Sequence, residues 1–346
     1  MIIVVSTSDQ DPSRPPAPIA NGIVDTTGNT PLIRLTHLPV RSDIKVYAKY
    51  EATNPGGSAK DRTAQAMVEA ARAAGRLKPG AQLVESSSGN LGIALARQAL
   101  IAGYRFHCVV DGRTNATTIA HIQALGGTIH RVTQPDPRTG DWLIARRAEV
   151  ARLVRTIPGA INLDQYSNRA AFHAHCQGTM AEIVRDLGTA PNHVMVAVST
   201  TGTLGGIDMY RQQHGTHTRI TAVDAAGSVL FGGQRDTRLL PGYGAGVEPE
   251  LSREVHPDAV ARIKDLDAVA GARLMAAREG ILPGASGGAV TAAFKKAEGS
   301  FAPRDAVVMI LHDAGMAYLD TVYNDAWVKQ RLGVSRGELN HHMEAL

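Results

Sequence analysis

A single lysine in the stretch NPGGSAKDRTA, Asn54 to Ala64, sits where a loop of small residues runs into a helical pattern. On position alone Lys60 reads as a solvated surface charge. A lysine amine taken out of water becomes a nucleophile and a carrier of Schiff-base chemistry. Two further stretches lie at the C-terminal ends of apolar strand patterns, where open parallel sheets bind ligands. The first, VESSSGNLGIA, passes through Ser86, Ser87, Ser88, Gly89 and Asn90 into a helix. Unpaired N–H groups at a helix start attract an anion, so these hydroxyls and the glycine suit a carboxylate or a phosphate. An ordinary N-cap needs only one such residue. The second, VSTTGTLGGI, repeats that chemistry with Ser199, Thr200, Thr201, Gly202 and Thr203, a cradle for a phosphate dianion. It lacks the lysine of a Walker loop and the G-x-G-x-x-G of a dinucleotide fingerprint. A third loop, GILPGASGGAV, surrounds Ser286 with small residues, so backbone passes close to something there. Ser286 either meets a ligand nitrogen or caps the helix that follows. A phosphate cradle, a carboxylate loop and a lysine together describe a site for a phosphorylated aldehyde and an amino acid. Pyridoxal phosphate satisfies all three.

The elements that hold these loops alternate. IKVYAKYE, AQLVES, YRFHCVV, HVMVAVS, RITAVDA and AVVMILHD read as strands; helical patterns such as AKDRTAQAMVEAARAAGRL, NLGIALARQALIAG and WLIARRAEVARLV lie between them. Strands apolar on both faces, joined by helices, argue for an α/β fold with mostly parallel sheets. At 346 residues the chain exceeds the size of a single core, which predicts two lobes. Residues 1–21, ending in DPSRPPAPIAN, read as an arm-like leader.

Composition narrows the class. The net charge of +4 comes from scattered residues, with no basic helix interleaved with aromatics, which argues against nucleic-acid binding. Cys108 and Cys176 belong to no metal or redox spacing, so a reduced, cytoplasmic compartment is expected. MIIVVSTSDQ lacks a basic n-region, and no apolar run approaches the ~20 residues of a membrane span. No metal site is expected: a helix would display the histidines of HAHC on different faces. His341 and His342 in NHHMEAL lack an i, i+4 ligand pair and are expected in a frayed end.

TGNTPLIRL, NPGGSAKDRTA, SSSGNLGIALA, STTGTLGGI, GYGAG and EGILPGASGG occur in that order. Together they resemble the cysteine synthase branch of fold-type II pyridoxal-phosphate enzymes, from about Gly22 to Trp327. The resemblance implies two lobes, each built on a mostly parallel sheet, with the cofactor in the cleft. The smaller, mobile lobe would span 54–163, the larger 22–53 plus 164–332, with a tail at 333–346. Lys60 would carry the cofactor as a Schiff base and later act as base toward the substrate α-proton. Asn90 would bond the cofactor's 3′-oxygen; Ser87, Ser88, Gly89 and Asn90 would hold the substrate carboxylate. Ser199, Thr200, Thr201, Gly202 and Thr203 would cradle the phosphate, and Ser286 would be a neutral partner of the pyridine nitrogen. A homodimer acting on small amino-acid substrates is implied.

The chain departs from the sulfhydrylases of that branch at Leu91 after the asparagine, at STTGT in the phosphate loop, at DGRTNATTIAHIQALGG, and at Tyr166 in LDQYSN. These departures, with VDAAGSVLFGG and YLDTVYNDAW, resemble a narrower group, the N-(2-amino-2-carboxyethyl)-L-glutamate synthases. That resemblance implies β-replacement on O-phospho-L-serine by the amine of L-glutamate, toward L-2,3-diaminopropionate for siderophores or peptide antibiotics. A dianionic leaving group needs donors near Cβ. Tyr166 and Ser199 supply hydroxyls; for Tyr166 the competing reading is an aromatic packed between lobes. Arg146 reads first as a solvated helix charge and second as a guanidinium reaching the site, and Arg147 cannot share its face. The rivals are a cysteine synthase using O-phosphoserine or O-acetylserine with sulfide, a non-catalytic regulatory relative, and a serine or threonine dehydratase. Lys60 with the complete serine–asparagine loop speaks against the regulatory relative.

Overall fold

The computed structural model describes residues 19–346, so the expected leader lies, up to residue 18, outside the described residues. The chain runs β1 (Leu32–Leu35), β2 (Lys45–Tyr50), α1 (Lys60–Ala73), β3 (Gln82–Ser86), α2 (Asn90–Ala102), β4 (Arg105–Asp111), α3 (Ala116–Ala124) and β5 (Thr128–Val132). It continues through α4 (Trp142–Thr156), β6 (Ala160–Ile161), α5 (Ala170–Ala174), a π-helical turn (His175–Met180), α6 (Ala181–Leu187), β7 (His193–Ala197) and α7 (Gly202–His214). Then follow β8 (Arg219–Ala225), β9 (Ala259–Ile263), α8 (Asp265–Glu279), α9 (Ala285–Ala297), β10 (Ala306–Leu311), α10 (Asp325–Leu332) and α11 (Arg336–Glu344).

Two sheets result. One has the order β5-β4-β3-β6 and is parallel throughout. The other has the order β1-β2-β10-β7-β8-β9, parallel except for the antiparallel pair β1–β2. The α/β expectation holds, and alternation of side chains explains it. In the larger sheet Met195, Val307 and Met309 face a core with α8 and α9, while Val194, Val196 and Val308 face one with α7 and the π-helical turn. In the smaller sheet Leu83 and Phe106 pack with α1 and α2, and Val84 and Val109 with Val150 and Leu153 of α4.

The close backbone approach expected around Ser286 proves to be packing. A Cβ on Gly288 would lie 2.2 Å from the Ala268 carbonyl oxygen, and one on Gly271 2.2 Å from that of Gly288. Helices α8 and α9 therefore cross backbone against backbone, and only glycine fits there. The C-terminus also differs from expectation. Ser335 and Glu338 form a reciprocal capping box, Leu339 is buried, and His342 Nε2 bonds Asp267 Oδ1 at 2.8 Å. The spacing S-x-x-E is a capping-box signal that the reading of a frayed end passed over, and the apolar Leu339 docks the helix. No helix among the described residues is long and apolar enough to cross a membrane.

Candidate active site

The chemistry-bearing residues gather at the C-terminal ends of β3, β7 and β10. Lys60 opens α1, and two contacts pin that start to the end of β10: a bridge pairing Ser58 with Asp313, and the Ala59 N–H donating to the His312 carbonyl at 2.8 Å. The Lys60 amine has no hydrogen-bond or ion-pair partner among the described residues. Burial lowers its proton affinity below the ordinary lysine range, against the opposing charges of Asp313 and Glu51. An uncommitted, desolvated lysine is what Schiff-base chemistry requires.

Behind Lys60 lies a buried ionic network. Arg62 Nε meets Glu51 Oε2, and Arg62 Nη2 meets Glu182 Oε2, both at 2.7 Å. Lys49, fully buried, reaches Glu182 at 2.8 Å and donates to the Thr30 carbonyl at 2.6 Å. Burial would raise the Glu182 carboxyl, yet Arg62 and Lys49 outweigh it and hold it at about 2. Removing one member of such a network strands its partner, at a cost of about 3–5 kcal/mol. The network ties α1 to β2 and α6, and so fixes the helix whose first residue is Lys60.

The turn after β7, expected as a phosphate cradle, leaves its backbone donors open among the described residues. Thr201 takes a left-handed φ of 66°, unusual for a β-branched residue and the kind of strain found at functional turns. The backbone N–H groups of Ser199, Thr200, Thr201, Gly202 and Thr203 have no acceptor among the described residues. Five such donors at the positive end of α7 fit a phosphate group. Hydroxyl roles differ along the turn: Thr201 Oγ1 donates to the Thr200 carbonyl at 2.7 Å, while Thr203 Oγ1 contacts His175 Nε2 and His312 Nε2, each at 3.3 Å. Ser199 and Thr200 keep theirs free among the described residues.

The turn after β3 behaves otherwise. The buried Ser87 hydroxyl accepts from the Gly92 N–H at 2.9 Å, capping α2, while Ser88 is exposed. Asn90 Nδ2 donates to Asp313 Oδ2 at 2.8 Å, and the Tyr318 hydroxyl donates to the same oxygen at 3.1 Å. Burial pushes the Asp313 carboxyl up; Asn90, Tyr318, Lys60 and Ser286 counter that rise. Ser286 is buried in the first turn of α9, whose N-cap is Gly284, so it is not the cap of that helix. A Cβ on Gly242, in GYGAG, would lie 3.8 Å from the Ser286 Cβ and 3.4 Å from the Tyr318 hydroxyl. The motif segments thus converge on one place.

Sequence reasoning missed several neighbours. Asp313 and His312 end the strand AVVMIL, and the rule that ligands bind at parallel-strand ends would have found them. His175, dismissed with HAHC, is buried beside Thr63 and Thr203, on the π-helical turn, a feature frequent at functional sites. Gln165, next to Tyr166, donates to the Ser86 carbonyl at 2.8 Å and ties its loop to the serine turn.

Tyr166 and Arg146 divide differently from expectation. Arg146 is not solvated: it is buried, with Nε 3.4 Å from Asp111 Oδ2. Helix α4 turns it inward because Val150, four residues on, faces the same core. Its charge answers Asp111. Arg147 points outward and lays its guanidinium 5.6 Å from the centre of the Tyr166 ring. Burial pushes the Tyr166 hydroxyl up to about 12. A cavity of about 320 Å³ lined by Glu85, Ser86, Arg147, Asn162, Asp164 and Tyr166 lies there. A larger groove of about 580 Å³, along α1 and α5, contains none of the expected site residues.

The residues therefore fit pyridoxal phosphate: a half-buried lysine and backbone donors for its phosphate, both without partners among the described residues, and polar groups around Asp313. Comparison with known proteins agrees. The family model described as pyridoxal-phosphate dependent enzyme matches residues 23–313. An N-(2-amino-2-carboxyethyl)-L-glutamate synthase of Ralstonia nicotianae is 40% identical over 318 residues, covering 92% of this chain and 94% of that protein. One from Cupriavidus metallidurans is 39% identical over 313 residues, 90% of this chain and 92% of that protein. Among solved structures, O-ureido-L-serine synthase superposes with a TM-score of 0.81 at 32% identity, covering 90% of this chain and 99% of that one. The O-acetylserine dependent cystathionine beta-synthase of Helicobacter pylori gives a TM-score of 0.82 at 26% identity, covering 88% and 99%. With its model matched over most of the chain, the chain belongs to the pyridoxal-phosphate dependent enzyme family.

Proposed function

We propose that the protein catalyses a β-replacement joining O-phospho-L-serine and L-glutamate, giving N-(2-amino-2-carboxyethyl)-L-glutamate and phosphate. The observation that carries this reading is the likeness, at 39–40% identity over nine-tenths of the chain, to two synthases of that name. When bound, pyridoxal phosphate supplies an electron sink for the substrate α-carbon, so that a β-substituent can leave. The chain's own residues do the rest. Lys60 holds the cofactor and, when its amine is free, accepts the α-proton. The N–H groups of Ser199 to Thr203 hold the phosphate. The Ser87–Asn90 turn orients the substrate carboxylate, and Ser286 meets the ring nitrogen. Tyr166, Ser199 and Arg146 are the donors this reading offers the leaving phosphate; Arg146 does so only by sharing its charge with Asp111.

The same reading holds 54–163 as a smaller mobile lobe and the active species as a homodimer, which sedimentation of the purified protein tests. The two cysteines are buried and unpaired, which supports a cytoplasmic setting. The functional test supplies purified holoenzyme with O-phospho-L-serine and L-glutamate, then O-acetyl-L-serine and sulfide in parallel. Phosphate release with the glutamate adduct by mass spectrometry is the expected result. Cysteine formed from O-acetylserine and sulfide, with no glutamate adduct, makes this a cysteine synthase instead.

A further inference from the structure

The cavity of about 320 Å³ beside Tyr166 differs from the larger groove along α1 and α5 in what faces it. Glu85 and Ser86, the last two residues of β3, are 2% and 1% exposed, and both line the cavity. Glu85 Oε1 accepts from the Ser86 N–H at 3.0 Å, while Oε2 is buried with no hydrogen-bond partner. Ser86 Oγ, on the same wall as Tyr166, is buried without a partner in hydrogen-bonding geometry either. No such orphaned atom lines the groove among the described residues. A carboxyl oxygen and a hydroxyl buried without partners are costly, and a fold keeps them where something outside the chain satisfies them.

The rest of the wall carries charge of both signs. Asp164 brings a second carboxylate. Its oxygens already accept from the Tyr166 N–H at 3.2 Å and the Ser167 hydroxyl at 2.6 Å, so it adds negative charge while Glu85 Oε2 stays the open acceptor. Arg147 brings a guanidinium with no ion-pair partner among the described residues, and Asn162 brings a side-chain amide. Two carboxyl groups suit an ammonium; a free guanidinium and an amide suit a carboxylate. An α-amino acid carries both on one carbon. We infer that this cavity is a binding site for a zwitterionic α-amino acid, its ammonium on Glu85 Oε2 beside Asp164 and its carboxylate on Arg147 and Asn162. The volume falls at the lower end of the ~300–1,000 Å³ usual for small-molecule sites. Gln165 ties this wall to the Ser86 carbonyl, where the Ser87–Asn90 turn begins. The occupant is then the amine substrate, L-glutamate; that identification, unlike the site itself, rests on the function proposed above. Burial holds the Glu85 carboxyl at about 8, so setting an ammonium against it makes the pair shed a proton near neutral pH. Asp164, Tyr166, Arg146, Arg147 and Cys108, its partner on β4, also face Glu85; burial holds Cys108 and Tyr166 each at about 12, so neither sheds that proton.

The test uses full-length holoenzyme reduced with borohydride, which fixes the cofactor to its lysine so that an added amino acid cannot displace it. L-Glutamate, glutarate (which lacks the ammonium) and 4-aminobutyrate (which lacks the α-carboxylate) are titrated by calorimetry in buffers of different ionisation heat. L-Glutamate should bind and release about one proton near neutral pH. The other two should bind about tenfold more weakly. Glu85→Gln should weaken L-glutamate about tenfold and abolish the proton release. Arg147→Ala, at an exposed position, should weaken it about fivefold and keep the release. A holoenzyme that does not bind L-glutamate overturns the site. So does glutarate binding as tightly as L-glutamate, or an affinity for L-glutamate that neither variant changes. Turnover separates the site from the proposed function. A glutamate adduct formed with a KM for L-glutamate that neither variant moves keeps the function and removes the site. Binding with the expected proton release but no adduct keeps the site, as one for a regulatory amino acid, and removes the function.

Discussion

The turns after β3 and β7 share one chemical composition, three hydroxyl residues and a glycine between a buried strand and a helix, yet they use it in opposite ways. Among the described residues the backbone donors after β7 are free and the hydroxyls of Ser199 and Thr200 are unengaged; after β3 the Ser87 hydroxyl closes on its own helix. The approaches differ too. The β7 turn follows the apolar run Val194–Val198, whereas the β3 turn follows Glu85, a fully buried carboxyl with Oε2 unpartnered. Hydroxyls beside a helix start therefore do not say by themselves whether they bind a ligand or finish the fold. What decides is whether a competing donor lies within reach of the side chain.

Glu85 offers the largest way to sharpen this contrast. Burial pushes its carboxyl up to about 8, from an ordinary 4.5. Between those values the folded protein keeps a proton that the unfolded chain has lost, so stability falls as pH rises. Glu85→Gln removes that loss, and should flatten stability between pH 5 and 8 by an amount on the order of 3 kcal/mol. Urea melts at several pH values measure it; parallel curves for the two proteins would refute a neutral Glu85. A glycine inside the helix after β7 and the glycine of the β3 turn differ next. A Cβ on Gly205 would sit 2.2 Å from Phe172 Cε1, while one on Gly89 meets nothing within 4 Å. Gly205→Ala should cost about 2 kcal/mol by overpacking α7 against α5. Gly89→Ala should stay within about 0.5 kcal/mol, and thermal melts separate the two.

These contrasts explain which parts of the molecule the sequence disclosed. The strands buried on both faces were legible as apolar runs, and the loops expected to carry the site do converge at their ends. The strands β5 and β9 were not: TIHRV and AVARI lie at sheet edges, where half-exposed positions take polar residues and blur the pattern. The destination of Arg146 was hidden because its partner, Asp111, comes from the next strand over and not from the helix. Ser87 and Thr200 looked equivalent because a capping bond depends on distances of a few tenths of an ångström. His175 and His312 were illegible for a further reason: each is defined by a hydroxyl contributed from a different segment.

Single hydroxyl deletions test the turns directly. Ser87→Ala should lower stability by about 1 kcal/mol through the lost cap and leave cofactor affinity unchanged. Thr200→Ala should do the reverse, weakening cofactor binding about fivefold with stability unaltered, in line with one neutral hydrogen bond. Cofactor titration followed by absorbance, paired with melts, reads both. If Ser87→Ala also weakens the cofactor, the division between a ligand turn and a capped turn collapses.

The smallest effect belongs to Arg147. Its guanidinium covers the Tyr166 ring from the solvent side, and such a contact at an exposed site is worth about 0.5 kcal/mol. Arg147→Ala should therefore barely change the melting temperature. Yet Arg147 and Tyr166 line the same cavity as Glu85 and Ser86, beside the capped turn. A residue that only shields a ring would leave kinetic constants alone when replaced. One that screens anions entering past Tyr166 would raise the KM for both anionic substrates and lose its effect in high salt. The free-amine form of glutamate that attacks carries two carboxylates where hydrosulfide carries a single charge, so the second pattern is expected, and a KM for glutamate that ignores both the mutation and the salt would return Arg147 to the surface.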